Sequence, residues 1–176
     1  PDQGISHRER HLTRLARTAA WLGICPRGVD QALKQLDSPT CLRVRLTVDA
    51  QGQVEVTQTP FAPLPDGTIW NVTISETQVQ SIDPWLSVKT TNRELYDNTR
   101  AAMSVGMDEV VFLNERGEVC EGTITNVFVL NDGYLRTPPR NCGLLPGILR
   151  EELVETGKAI EAVLKPADLA QATQVY

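Results

Sequence analysis

The sequence predicts an α+β fold, and three observations carry the prediction. Residues 7–23 place Leu12, Leu15, Ala19 and Leu22 at helical spacing. At residues 42–48 the period drops to two: Leu42, Val44, Leu46 and Val48 alternate with Arg43, Arg45 and Thr47. Beyond residue 68, short strand-like runs are interleaved with turns and helical stretches, a pattern of mainly short-range strand pairs.

The elements follow in order. The first helix covers 7–23, with Ser6 and Glu9 as a capping-box pair and Gly23 as its stop. A second helix is expected over 26–36, opened by Pro26. Residues 42–59 read as a hairpin turning at Ala50–Gln53. Three prolines and a glycine between Pro60 and Gly67 mark a linker. Ile69–Ser75 is a strand, 76–88 is irregular and Arg93–Gly106 is helical. Glu109–Asn114, Val119–Thr123 and Asn126–Leu130 read as one continuing sheet, with Asn131-Asp132-Gly133 as a turn into the strand 134–137. A helix over 147–158, a strand over 160–164 and a short helix over 166–172 come next, and 174–176 points into a further strand.

Composition narrows the function classes. The 176 residues carry 17 Lys and Arg against 22 Asp and Glu, a net charge of −5, which argues against nucleic acid as a partner. No apolar run reaches the roughly 20 residues that span a bilayer, and residues 1–10 are polar rather than a signal peptide, so no membrane partner is expected. Cys25, Cys41, Cys120 and Cys142 are scattered without close-spaced pairs, so no metal site is expected, and the thiols suit a cytoplasmic protein.

Three features could carry chemistry. Lys89 lies between an irregular stretch and a helix start, where a lysine is a solvated surface group unless desolvation or a neighbouring cation lowers its pKa. Glu121 sits among apolar residues, where a lone charge is costly; it is an edge-strand charge, a turn residue, or a carboxylate kept ionised by a protonated pyridine nitrogen. The run Gly143–Arg150 enters a helix through a glycine-bearing turn. It is either an ordinary helix start or a phosphate seat made of unpaired backbone N–H groups.

Taken in order, these segments resemble the class IV aminotransferases, the fold-type IV pyridoxal-phosphate enzymes. The likeness rests on K-T-T-N-R-E-L-Y (89–96), on G-M-D-E-V-V-F-L-N-E-R-G-E-V-C-E-G-T-I-T-N-V-F (106–128), on L-R-T-P-P (135–139) and on G-L-L-P-G-I-L-R (143–150). R-H-L-T-R-L (10–15) is similar to the family's His-x-x-Arg-Leu helix. The resemblance implies a pyridoxal 5'-phosphate cofactor. It implies Lys89 as the Schiff-base lysine and acid–base group, and Glu121 on the pyridine nitrogen. Arg14 would contact the phosphate, as would the turn of Gly147, Ile148 and Leu149; Asn126 would stand near the cofactor. Leu149 departs from the threonine of many members, which removes a hydroxyl contact. Arg45 matches a position from which some members bind a substrate carboxylate, with a solvated sheet face as the alternative.

Within the family, K-T-T-N-R-E-L-Y and D-P-W-L-S-V-K (83–89) resemble 4-amino-4-deoxychorismate lyases, some of them fused to a synthase. The reaction this implies forms 4-aminobenzoate and pyruvate, a folate-precursor step. The alternatives are amino transfer by a branched-chain or D-amino acid aminotransferase, or a non-catalytic relative. A homodimer and a small amino substrate are implied. So is a division into a partial small N-terminal domain (1–60), a linker (61–67) and a larger β-rich cofactor domain (68–176), with further segments expected before and after these residues.

Overall fold

The computed structural model describes residues 4–176. The chain divides into two compact units, Pro1–Ile69 and Trp70–Tyr176. It contains helices and strands in the α+β pattern of the prediction.

The first unit holds two helices and a hairpin. Helix α1 runs Arg8–Leu22 and ends at Gly23, whose φ of 69° suits a residue without Cβ. The expected Ser6–Glu9 capping box does not form. His7 occupies the N-cap with φ 51°, no side chain caps the helix, and Glu9 instead accepts from Arg8 at 2.8 Å. Helix α2 is shorter than expected, Val29–Lys34, because Gly28 rather than Pro26 takes the N-cap. The hairpin forms as read: β1 (Leu42–Val48) pairs antiparallel with β2 (Val54–Pro60) from Leu42↔Pro60 to Val48↔Val54. The Asp49 carboxylate closes the turn by accepting from the N–H groups of Gln51 and Gln53 at 2.9 and 2.8 Å.

The second unit is built on two sheets. In the first, β3 (Val72–Ile74), β4 (Glu109–Leu113) and β5 (Val119–Gly122) lie in that order. The β3–β4 pair is parallel, and Ile69–Asn71 stay outside it. In the second, the order is β8 (Ala159–Glu161), β7 (Tyr134–Thr137), β6 (Val129–Asn131), β9 (Gln174–Val175). Helices α3 (Glu94–Ala101), α4 (Ile148–Glu155) and α5 (Pro166–Gln171) complete the unit.

One expectation changes here. Asn126–Leu130 does not continue the β4–β5 sheet: β6 starts at Val129 and belongs to the second sheet, while Asn126 makes only an isolated bridge to Glu121. Three of the six strand pairings, β1–β2, β4–β5 and β6–β7, join consecutive strands as expected, while β3–β4, β7–β8 and β6–β9 join distant ones. Residues 174–175 do form a strand, with Val175 opposite Val129.

Two apolar clusters hold this unit together. Val79, Leu86, Phe112, Cys120 and Cys142 form one, with Leu95 and Tyr96 against it. Val111, Val119, Val127, Val129 and Leu164 form the other. Phe112 and Val111, adjacent on β4, serve different clusters because successive strand residues face opposite sides. Among the described residues no helix is long and apolar enough to cross a membrane.

Candidate functional site

Lys89 leaves a short 3-10 turn, Pro84–Ser87, whose start is capped by Asp83 accepting from the Trp85 N–H at 2.9 Å. Its side chain is exposed, on the irregular segment that leads into α3. Arg93, the N-cap residue of α3, donates to the Thr123 carbonyl at 2.6 Å and stacks over the Tyr96 ring at 5.0 Å. Tyr96 in turn meets Phe112 edge-on, at 5.3 Å and 79°. The segment after Lys89 is thereby docked onto β4 and onto the turn that follows β5.

Glu121 is buried near the end of β5. Its Oε1 accepts from the Tyr96 hydroxyl at 2.7 Å and its Oε2 from the Leu145 N–H at 3.0 Å. Burial pushes its carboxyl up to about 7; the Tyr96 and Leu145 hydrogen bonds, then the Lys89 and Arg93 charges, pull the other way. A buried carboxylate with one donor on each oxygen offers a counter-charge to a bound heteroaromatic cation. The neighbouring Cys120 thiol is pushed up to about 12 by burial, and its Sγ donates to the Cys142 carbonyl at 3.1 Å, so it serves the core rather than a reaction.

Asn126 stitches the turn before α4. Its Nδ2 donates to the Leu145 carbonyl at 2.8 Å and its Oδ1 accepts from the Gly147 N–H at 3.1 Å. A Cβ at Gly147 would run into that Oδ1, so the close approach requires glycine. Helix α4 then opens with Ile148, Leu149 and Arg150, whose N–H groups have no acceptor within the helix. Ile148 is buried and the Leu149 side chain is 59% exposed. Lys89, Glu121, Asn126 and the Gly147–Leu149 turn therefore all lie within the second unit, linked through Tyr96, Arg93 and Leu145.

Arg14 and Arg45 belong to the first unit. Arg14 sits on α1, half-buried, with a guanidinium nitrogen 3.5 Å from Nδ1 of His11. Burial, then the Arg14 and His7 charges, push the His11 pKa down, which favours a neutral ring accepting from Arg14. Arg45 is exposed on β1, on the same face as Arg43, with Val44 and Leu46 turned to the half-buried side.

Three contributors went unread in the sequence. Tyr96 and Arg93 stand inside the K-T-T-N-R-E-L-Y run, yet their partners lie 25 and 30 residues away. Glu109 opens β4 and is buried; it accepts from the N–H groups of Val110, Thr123 and Ile124 and from the hydroxyls of Thr123 and Thr125. A carboxylate next to an apolar run is the available signal, as it is for Glu121.

A family model described as amino-transferase class IV matches residues 2–176. The chain belongs to this family. A crystal structure of a provisionally named amino-acid aminotransferase from Mesorhizobium loti superposes with a TM-score of 0.91 at 38% identity, covering 99% of this chain and 87% of that one. A provisionally named aminodeoxychorismate lyase of Schizosaccharomyces pombe is 29% identical over 158 residues, 86% of this chain and 68% of the relative. A provisionally named branched-chain aminotransferase of Thermotoga maritima is 42% identical over 53 residues. That match covers 30% of this chain and 19% of the relative, well under two thirds of its length.

Class IV aminotransferases depend on pyridoxal phosphate. The residues present fit that group: Glu121 offers an acceptor for a ring N–H and the start of α4 offers backbone donors for a phosphate. Lys89 is a cationic amine close enough for its charge to act on Glu121.

Proposed function

We propose that this class IV chain provides the pyridoxal phosphate site of an enzyme acting on a small primary amine, with 4-amino-4-deoxychorismate as the substrate and 4-aminobenzoate and pyruvate as products. The observation that carries the cofactor reading is Glu121, a buried carboxylate with one donor on each oxygen and lone pairs to spare. In this reading Lys89 is the catalytic residue. Asn126, Gly147, Ile148 and Leu149 shape and line the phosphate seat, to which Arg14 adds a charge, and Arg45 receives a substrate carboxylate. Bound pyridoxal phosphate supplies the electron sink for the bond broken next to the substrate nitrogen. Lys89 takes the proton from the ring carbon that bears the nitrogen and returns a proton to the departing three-carbon fragment. The two products together are isomeric with the substrate, so no oxidant or second substrate is consumed.

The lyase reading is supported by the K-T-T-N-R-E-L-Y segment and by a lyase-named relative that aligns with 86% of this chain. A second reading, amino transfer to a 2-oxo acid, is favoured by the Mesorhizobium loti aminotransferase at 38% identity. A homodimer and a cytoplasmic location complete the proposal. The domain division at 61–67 remains part of it as well.

The test is a visible spectrum of the purified chain titrated with pyridoxal phosphate, beside Lys89→Ala. A protein-bound visible band in the parent and none in the variant is the expected result. Its absence from the parent removes the cofactor reading. Product analysis then separates the chemistries: release of pyruvate without an added 2-oxo acid supports the lyase, and a strict need for that acid selects the transaminase.

A further inference from the structure

We propose that Tyr96 is the positioning residue for Glu121, holding the carboxylate in one orientation and in its ionised form for a cationic ring nitrogen. This rests on the cofactor reading above. The geometry carries it. The Tyr96 hydroxyl fills one lone-pair direction of Oε1 at 2.7 Å and the Leu145 N–H one of Oε2 at 3.0 Å. An ionised carboxylate has about four such directions, so each oxygen keeps one for a further donor. Both existing donors favour the charged form, since a carboxylate pays for burial only when its lone pairs are met.

Tyr96 is itself held from two sides. Phe112 packs edge-on at 5.3 Å, and Arg93 lies over its ring at 5.0 Å while donating to Thr123, two residues beyond Glu121. The hydroxyl therefore cannot swing away without disturbing α3 or the turn after β5. Burial and the Glu121 charge push the Tyr96 pKa far above that of an ordinary phenol, which keeps it an O–H donor and unsuits it for proton transfer. If Tyr96 were only a packing residue, phenylalanine would serve equally well against Phe112. The hydroxyl separates the two roles.

The titratable and charged groups facing Glu121 are Tyr96 from α3, Arg93 at its cap, Lys89 from the segment before it and Cys120 beside it on β5. The Tyr96 hydrogen bond lowers the carboxyl pKa, so removing it raises that pKa and leaves more neutral acid at neutral pH.

The test compares the parent, Tyr96→Phe and Val129→Ala, the last a fully buried residue of the other apolar cluster. First, the Glu121 carboxyl is titrated in cofactor-free protein by NMR of glutamate labelled at its carboxyl carbon. Second, the affinity for pyridoxal phosphate is followed against pH. In Tyr96→Phe the carboxyl titrates at higher pH. Pyridoxal phosphate binds roughly tenfold more weakly, as for a lost hydrogen bond to a charged group, and the acid limb of binding moves up in pH. Val129→Ala lowers the melting temperature but leaves the titration where it was. A Glu121 titration unchanged in Tyr96→Phe overturns the proposal, as does parent-like affinity with an unmoved acid limb. A parent that binds no pyridoxal phosphate overturns the cofactor reading instead, and the cofactor-free titration still decides whether Tyr96 governs Glu121.

Discussion

The resemblance sets Leu149 where many class IV members carry threonine, so in the proposed site one substitution tests the phosphate seat by gain rather than by loss. Its side chain is 59% exposed in the first turn of α4, so shortening it opens no core cavity. Threonine costs a few tenths of a kcal/mol in helix propensity. A hydroxyl reaching a phosphate oxygen returns about 1.5 kcal/mol or more. That propensity cost is shared by the free and bound protein, so Leu149→Thr is expected to tighten pyridoxal phosphate binding about tenfold, measured by titration of the visible band. Unchanged affinity would mean that the phosphate does not sit at the start of α4. The candidate residues were legible in the sequence to the extent that chemistry dictates their type: a lysine, a carboxylate in an apolar run, a glycine before a helix. Tyr96 was not, because a tyrosine at helical spacing reads as core and its hydroxyl partner is 25 residues away.

At the scale of elements, the turn between β5 and Asn126 is held by Glu109 as well as by its own bond from the Gly122 N–H to the Thr125 carbonyl at 2.8 Å. Four of that carboxylate's six hydrogen bonds come from Thr123, Ile124 and Thr125; the other two come from Val110 and from Arg100, which also forms an ion pair with it at 3.3 Å. A Cβ at Gly122 would come within 2.8 Å of the carboxyl carbon, so strand and carboxylate are in direct contact. Burial pushes the Glu109 pKa up, but the hydrogen bonds from Thr123, Val110 and Ile124 outweigh it and hold the group below its ordinary 4.5. A depressed folded-state pKa gives stability that is present above 4.5 and lost as pH falls through the folded value. Glu109→Gln turns an acceptor into a donor opposite buried donors, at about 1–3 kcal/mol. The expected melting deficit is about 2–10 °C near neutral pH, shrinking on acidification. A deficit that does not vary with pH would show that Glu109 acts by shape alone. This contact also explains the misread strand: Thr123–Thr125 bends to meet Glu109, so Asn126–Leu130 cannot run on in the same sheet. By contrast the 42–59 hairpin was legible because its period of two sorts both strands without help from distant residues.

Across the whole molecule the two units differ in how much they bury. In the first, Thr18, Ala19 and Gly52 are the buried positions among the described residues, and its sheet is a single hairpin, a form of little stability by itself. The second carries both apolar clusters, with Phe112, Val119, Cys120 and Val129 fully enclosed. Opening free energies follow buried contacts, so native-state hydrogen exchange is expected to rank the amides of β1 and β2 well below those of β4, β5 and β6. Ligand then becomes a map of the site. At about a hundred times its dissociation constant, pyridoxal phosphate adds about 2.7 kcal/mol to whatever unfolds with loss of binding. The second unit is expected to slow by that amount, most visibly at Glu121, Asn126 and Ile148, and the first turns of α1 should slow with it where Arg14 takes the phosphate. An α1 that exchanges at the same rate with and without cofactor would remove Arg14 from the proposal while leaving Lys89 and Glu121 in place. Slowing spread evenly over β1 and β2 would mean instead that the two units open as one, and that the ranking by buried side chains does not govern exchange here.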